Sequence, residues 1–200
     1  MSPATDSLKQ DDITIQHSLD GFSYIIDNDK HTFVPAALYQ ESKKAQYLDF
    51  LGIKEENSVI CADYIDLADT YNVYSIPKKE FDAIKSNSDK VECRHASSII
   101  LSDLLKENLE RTDDPRIYLN IKNMCFDMIV LKGCNLLFYN YFRFKTKEDF
   151  LYFLLFSIEQ LHLDAGSVPI YFIGMIEEDS QLVTITKRYV RDIRFKKDTK

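Results

Sequence analysis

The residues best suited to chemistry lie in and around a short hairpin in the second half of the chain. The run from 117 to 142, IYLNIKNMCFDMIVLKGCNLLFYNYF, contains three strand-like segments joined by Lys122-Asn123 and by Lys132-Gly133-Cys134. Several phosphate-handling folds begin with such a meander followed by a long helix. A lysine in the hairpin turn, Lys122, can act as a point charge on phosphate. The pattern is compatible with a phosphate site, provided that other phosphate-binding groups accompany this lysine.

Other kinds of catalytic site find less support. A two-metal nuclease needs several carboxylates on its central strands, and Asp127 is the one acid within the meander's strands. The four histidines are isolated in sequence from an obvious Ser, Cys or Asp partner, and there is no G-x-S-x-G, P-loop or dinucleotide-binding fingerprint. The four cysteines have neither C-x-x-C pairs nor histidines at zinc-site spacing, so we expect reduced core residues and no metal.

Composition narrows the classes of partner. The chain has 200 residues, a net charge of −7 and a pI of about 5.1, so its field should repel nucleic acid and anionic lipid. It has no apolar run of 18 or more residues, and its N-terminus lacks the basic start and apolar segment of a signal peptide. We therefore expect a soluble, cytoplasmic protein that does not insert directly into a membrane and does not bind nucleic acid.

The first half of the chain reads as mixed strands and helices after a polar, disordered tail at 1–12. We predict a hairpin over 13–27 with its turn at Asp20-Gly21, followed by a third strand that ends at Pro35. A helix over 37–52 is capped by Gly52. Further elements are the strands SVICADYI, YNVYSI and VECRH, the helix KKEFDAIKS opened by Pro77, and the helix SSIILSDLLKENLE capped by Ser97 or Ser98.

The second half has a clearer order. The junction RTDDP at 111–115 is followed by three strands over 116–144 and by a helix over about 147–163, with Thr146 as N-cap and Asp149 in the capping-box position. The buried strand VPIYFIG, a helix in EDSQLVTITKRYV and a last strand at RDIRF complete the chain. The order βββαβα in 116–190 follows another βββα start at 13–51. We therefore predict two lobes, 13–112 and 113–196.

This doubled arrangement resembles the actin-like ATPase superfamily, whose lobes each have a ribonuclease H-like core. The segments HTFVPAALYQESKKAQYLDF, VYSIPKKEFDAI and RHASSIILSDLL together look like an uncharacterised bacterial family with that fold. The distribution of elements is also similar to the cytoplasmic actin-like domains of type II secretion and type IV pilus assembly proteins. The resemblance implies an α/β protein of two ribonuclease H-like lobes in an actin-like arrangement.

The resemblance also implies where a nucleotide would bind. Such proteins hold ATP between the lobes, with phosphates against the first hairpin of each lobe and an Asp near the hydrated Mg²⁺. In the second lobe, Asn120, Lys122 and Met124 stand where Asp, Gly and a hydroxyl residue are expected. In the first lobe, Gln16 and Ser18 replace Asp and Gly. Should ATP with Mg²⁺ bind, the weak candidates are Gly21, Asn120, Lys122 and Gly174.

Surplus aromatic side chains indicate a different kind of site. In LLFYNYFRF, strand alternation puts Tyr139, Tyr141 and Arg143 on the face opposite the core. In the following helix, Tyr152 and Phe156 project away from the apolar face. Tyr and Arg are enriched at the centres of protein interfaces, although a neighbouring helix or the other lobe could equally cover these residues.

The residues thus favour a non-catalytic interaction or scaffold protein with degraded nucleotide loops and no cofactor, which contacts a protein partner or itself. The alternative is a divergent actin-like ATP-binding protein or ATPase in which backbone amides and Lys122 replace the usual ligands. A sensor that binds a small molecule in the cleft between the two lobes is a third alternative.

Overall fold

The computed structural model describes residues 13–18, 21–53, 57–86, 92–109 and 114–196, and side chains from residue 24 onward. The predicted tail at 1–12, Asp20 and most of the RTDDP junction lie outside the described residues. The chain forms two compact units, Met1–Asp103 and Leu104–Lys200. The lobe limits expected from the sequence, 13–112 and 113–196, stay a prediction.

The described part of the first unit contains two three-stranded sheets. Its strands are β1 (Ile13–Ser18), β2 (Gly21–Ile26), β3 (His31–Pro35), β4 (Ser58–Ile65), β5 (Thr70–Pro77) and β6 (Glu92–His95). One sheet has the order β1-β2-β6 and the other the order β3-β5-β4. The predicted β1–β2 hairpin is confirmed, whereas β3 pairs with the later strand β5 rather than with β2.

Helices complete this unit. They are α1 (Lys44–Asp49), α2 (Lys78–Ser86) and α3 (Ala96–Asn108), and α3 crosses into the second unit. The helix predicted over 37–52 is mostly replaced by 3₁₀ turns at Ala36–Leu38 and Glu41–Lys43, and α1 buries only Leu48. Too few apolar positions face a core there to favour a longer helix. Gly52 has the expected left-handed backbone, with φ of 73°.

Two predicted helix starts are wrong by one or two residues. Pro77 is the last residue of β5 rather than the first of α2. Ser97 and Ser98 lie in the first turn of α3 instead of capping it. Ser98 instead accepts a hydrogen bond from the Asn72 amide, so its hydroxyl is used in a contact between distant segments.

The described part of the second unit contains one five-stranded sheet. Its strands are β7 (Pro115–Lys122), β8 (Cys125–Lys132), β9 (Asn135–Arg143), β10 (Ile170–Gly174) and β11 (Ile193–Phe195), in the order β11-β10-β7-β8-β9. The first three form the predicted antiparallel meander, and β10 and β11 run parallel to β7. The turns are Asn123-Met124 and Gly133-Cys134, so each begins one residue later than predicted, and the second ends at Cys134 as predicted.

Two helices accompany this sheet, α4 (Lys147–Gln160) and α5 (Gln181–Thr186). The predicted capping box at Thr146 and Asp149 is confirmed. Phe150, Leu154 and Ile158 of α4 belong to the main core, which also contains alternate residues of β7, β8 and β10. Ser180 caps α5, which ends at Thr186 and is shorter than its sequence pattern suggested. No helix in the described ranges is long and apolar enough to cross a bilayer.

Candidate functional site

A buried carboxylate lies at the first hairpin of the second unit. The strand register places Asn120 opposite Asp127, whose side chain is only 1% exposed. Asp127 Oδ1 accepts a hydrogen bond of 2.8 Å from the Tyr139 hydroxyl, and Oδ2 accepts one of 2.9 Å from the Asn120 amide. Lys122 Nζ lies 3.2 Å from the same Oδ2. We call these four residues the Asp127 cluster.

Strand alternation produces this cluster. Ile121 and Phe126 belong to the main core, so their neighbours along the strands, Asn120, Lys122 and Asp127, lie on the opposite face of the sheet. The connecting turn is tight, and Met124 takes a left-handed conformation with φ of 55°. A charge removed from water is tolerated only when it is paired and hydrogen-bonded. The three partners supply these interactions to Asp127.

The cluster has clear consequences for ligands. Both carboxylate oxygens already accept donors, and the ammonium of Lys122 already has a carboxylate within salt-bridge distance. A phosphate bound at this place would meet the negative charge of Asp127 and would have to compete for Lys122. In the described residues, no group of three or more His, Cys, Asp or Glu side chains is arranged to hold a metal ion.

Gly174 is connected to the cluster through the backbone of β7. It ends β10 with φ of 81°, and Met175 N–H donates to Ile121 O at 2.8 Å. A Cβ at Gly174 would lie 2.5 Å from Ile121 O and 2.6 Å from Asn120 Oδ1. The close approach of two strand ends therefore accounts for the glycine.

Gly21 belongs to the other unit. It begins β2 and stands opposite Ser18 in the hairpin register. Of the four nucleotide candidates, the structure thus groups Asn120, Lys122 and Gly174 near the ends of the neighbouring strands β7 and β10, and places Gly21 in a separate hairpin.

The five interface candidates form two groups. On β9, Tyr139 is bonded to Asp127, and the Arg143 guanidinium lies 5.9 Å from the centre of the Tyr141 ring. On α4, the rings of Tyr152 and Phe156 stack with centroids 5.8 Å apart. The two groups belong to opposite faces of the sheet, because β9 contacts α4 through Phe142 and Phe153, on the face opposite Tyr139 and Tyr141.

The α4 group lines an apolar groove between α4 and α5. Its volume is about 400 Å³. Leu151, Leu155 and Ile185 are less exposed and line it together with the more exposed rings of Tyr152, Phe156 and Tyr189. Glu148 and Glu159 are the charged residues among those that line the α4–α5 groove. We keep this name for the surface below.

The sequence did not predict that Asp127 contacts Asn120, Lys122 and Tyr139, nor that residues in and after α5 line the groove. The first could have been found by counting residues back from the hairpin turn, because antiparallel register pairs Asn120 with Asp127. Ile185 and Tyr189 carried no comparable signal. They reach the groove through the packing of α5 against α4, which local sequence does not specify.

Sequence reasoning also treated the histidines as isolated, whereas two of them lie together in the first unit. The rings of His31 and His95 have centroids 4.2 Å apart. His31 Nδ1 lies 3.0 Å from Asn72 Oδ1, and its Nε2 lies 3.5 Å from Ser97 Oγ. This resembles a nucleophile–base–orienter chain, yet all of these side chains are buried. The arrangement is best explained as a polar network that joins β3, β5 and α3.

Asp63 extends this network. Its carboxylate accepts hydrogen bonds from the His95 N–H at 2.8 Å and the Tyr74 hydroxyl at 3.0 Å. Burial raises the pKa of the Asp63 carboxyl above its usual value, against the opposing hydrogen bonds from Ser98, His95 and Tyr74. The same burial, together with the nearby Asp63 charge, raises the pKa of the Tyr74 phenol, which stays protonated.

Comparisons with known proteins concern the family and the fold. The family model described as "Protein of unknown function (DUF3822)" matches residues 23–193. A crystal structure from Bacteroides thetaiotaomicron, described as a protein with actin-like ATPase fold and unknown function, matches with a TM-score of 0.79 at 16% identity. The match covers 86% of this chain and 66% of that one. The chain therefore has the actin-like ATPase fold.

A second solved structure is more distant. A chain of the PilM–PilN type IV pilus biogenesis complex matches with a TM-score of 0.48 at 10% identity, over 83% of this chain and 65% of that one. The chain thus spans about two thirds of the length of each of these two structures. A search of curated proteins finds no significant match.

Proposed function

The chain belongs to the family described as "Protein of unknown function (DUF3822)", and from this premise we propose that it is a non-catalytic, actin-like protein-interaction module. In this proposal the hairpin of the second unit has lost nucleotide binding, and neither ATP nor Mg²⁺ is a cofactor. The module acts by contacting a protein, which is either another copy of the chain or a different partner.

The Asp127 cluster is the observation that carries the proposal. The resemblance to actin-like ATPases implies that phosphates meet the first hairpin of a lobe, and here that hairpin carries an internally paired carboxylate. Breaking a buried ion pair by withdrawing one partner typically costs about 3–5 kcal/mol. A phosphate that drew Lys122 away would have to offset a cost of this kind and would also meet the charge of Asp127. Both effects oppose nucleotide binding.

Gly174 supports the same proposal. A glycine in a strand end near a nucleotide site can serve to admit phosphate oxygens to the backbone. At Gly174 the space that a side chain would fill is already taken by Ile121 O and Asn120 Oδ1. Packing within the chain therefore accounts for this residue without a ligand.

The interaction part of the proposal is supported by the aromatic side chains on α4. Tyr152 is 61% exposed and Phe156 is 46% exposed, although Phe150, Leu154 and Ile158 already provide the core-facing side of the helix. Adjacent exposed rings of this kind are typical of surfaces that another protein covers.

Calorimetric titration with Mg-ATP, run beside a thermal-shift scan, tests the proposal. A ligand at one hundred times its Kd stabilises the folded state by about 2.7 kcal/mol, which is readily detected as a shift in Tm. We expect no saturable heat and no shift up to millimolar Mg-ATP. The matched variants are Lys122→Ala and Lys132→Ala, since Lys132 is an exposed lysine at the end of β8 that lies far from the hairpin turn.

Micromolar binding that is lost in Lys122→Ala and kept in Lys132→Ala would overturn the proposal. The chain would then be a divergent ATP-binding protein, and an ATPase assay would decide whether it is also an enzyme.

A further inference from the structure

We propose that the α4–α5 groove binds an apolar, helix-forming segment of a different protein, flanked by Lys or Arg residues. This inference rests on the proposed function, because it names the surface and the partner chemistry of the interaction module. Three features of the groove support it: the exposed rings, the spacing of the rings and glutamates along α4, and the negative sign of the charges.

The exposed rings supply the contact surface. Tyr152, Phe156 and Tyr189 are 61%, 46% and 55% exposed, and they come from two elements that converge on one groove of about 400 Å³. A tyrosine presents a large, rigid area and a hydroxyl that can hydrogen-bond at a rim. Two tyrosine rings and one phenylalanine ring around a less exposed aliphatic floor match the usual composition of a recognition groove.

The spacing of the groove fits a helical segment. Tyr152 and Phe156 are four residues apart and stack on one side of α4, a spacing that matches apolar residues four apart on a partner helix. Glu148 and Glu159 mark the two ends and are eleven residues apart, or roughly 16 Å along the helix at 1.5 Å per residue. On a partner helix, apolar residues at i, i+4 and i+7 span about 10 Å, which leaves a turn of helix to be shared between the two ends for its flanking Lys or Arg residues.

The charges select the partner. Both charged residues that line the groove are exposed glutamates. Glu148 lies in the first turn of α4, where a carboxylate complements the helix dipole, but Glu159 lies in the last turn, where it opposes the dipole. The helix dipole therefore does not favour the charge of Glu159, whereas a cationic residue of a partner would pair with it.

The same charges disfavour a second copy of this chain as the occupant. Two copies related by a two-fold axis would bring the glutamates of both grooves to one interface, and each chain carries a net charge of −7. A segment with Lys or Arg at both ends would pair with these glutamates instead.

Selection from a randomised library of displayed helical peptides tests the inference without a known partner. We expect wild-type protein to enrich peptides that carry apolar residues at i, i+4 and i+7 and a net positive charge. Synthetic copies of these peptides should lose at least tenfold in affinity, measured by fluorescence anisotropy, towards the Tyr152→Ser/Phe156→Ser variant. Their binding should also weaken several-fold at high salt, because exposed ion pairs are screened.

Two further variants control for non-specific effects. Phe50→Ser removes a more exposed ring, 86% exposed, that lies in the other unit, and should leave affinity unchanged. Glu148→Lys/Glu159→Lys keeps the rings and reverses the charges, so it should select acidic peptides from the same library. All variants alter exposed side chains, and an unchanged Tm verifies that each is folded.

Several results would overturn the inference. They are a failure to enrich any peptide, enriched peptides that bind equally to the Tyr152→Ser/Phe156→Ser variant, and enriched peptides without a positive charge. A wild-type dimer in sedimentation analysis that dissociates in that variant would assign the groove to a second copy. If Mg-ATP also fails to bind, the proposed function survives such a result and only the groove assignment is lost, whereas micromolar ATP binding removes the proposed function itself.

Discussion

Lys122 Nζ lies 3.2 Å from Oδ2 of Asp127, the buried carboxylate on the paired strand. The lysine side chain keeps 19% of its surface in contact with solvent and the aspartate only 1%. The pair links the hairpin turn to the middle of the sheet face, and it uses the one cationic side chain that the sequence offered for phosphate at this turn.

Replacing Lys122 by Met should destabilise the protein by about 2–3 kcal/mol, because the Asp127 carboxylate loses its charged partner while remaining largely buried. Urea denaturation measures the effect. Lys132→Met, at an exposed position on the same hairpin, should change the free energy of unfolding by less than about 0.5 kcal/mol. The double variant Lys122→Met/Asp127→Asn should be less destabilised than the sum of its single variants. A strictly additive result would show that the two side chains are not coupled.

Replacing Gly174 by Ala should be far more costly than replacing Gly52 by Ala. Both glycines have a positive φ, 81° and 73°, so both variants suffer the same left-handed strain of about 1–2 kcal/mol. Only at Gly174 would the new Cβ also meet backbone, at 2.5 Å from Ile121 O, while nothing lies within 4 Å at Gly52. We expect the Tm of the Gly174 variant to fall at least twice as far. Equal shifts would contradict the close approach of the strand ends.

Replacing Asp149 by Asn should make the stability of the protein to urea less dependent on pH in the acid range. Backbone N–H groups of Lys145 and Thr146 donate to the Asp149 carboxylate and hold its pKa below the ordinary value of 3.8. A group whose folded pKa is lowered contributes stability above its unfolded pKa, and this contribution is lost as pH falls through the folded value. Urea midpoints of the two proteins should therefore differ at pH 6 and converge below pH 3.8. A constant difference across this range would contradict the capping role.

Cys61 should react slowly with iodoacetamide at pH 8. Burial raises the pKa of its thiol to about 11, so only about one molecule in a thousand carries the reactive thiolate at that pH. The rate, followed by mass spectrometry of the Cys61 peptide, should rise about tenfold per pH unit up to pH 10. The same peptide in urea serves as the control. Alkylation of the folded protein at pH 8 that is as fast as in urea would contradict a buried, protonated thiol.

Much of the second unit could be predicted from the sequence because its signals are local. The meander of β7, β8 and β9, the strand β10 and the capping box at Thr146 all follow from alternation and from contacts within a few residues. The helix expected over 37–52 did not form as such, since a periodic pattern becomes a helix only where a core covers its apolar side. The exposed rings of Tyr152 and Phe156 were likewise visible as residues that α4 does not need for its own core.

The sequence by itself determined the mixed α/β class and the order of most strands and helices. It also showed that the β7–β8 hairpin lacks the usual phosphate-binding residues. Only the tertiary structure decided that β3 pairs with β5, that Gly174 touches β7 and that α5 forms one side of the groove. The physical reason is the range of the interactions. Alternation and capping act between near neighbours, whereas these contacts join segments that only the packing of the whole unit brings together.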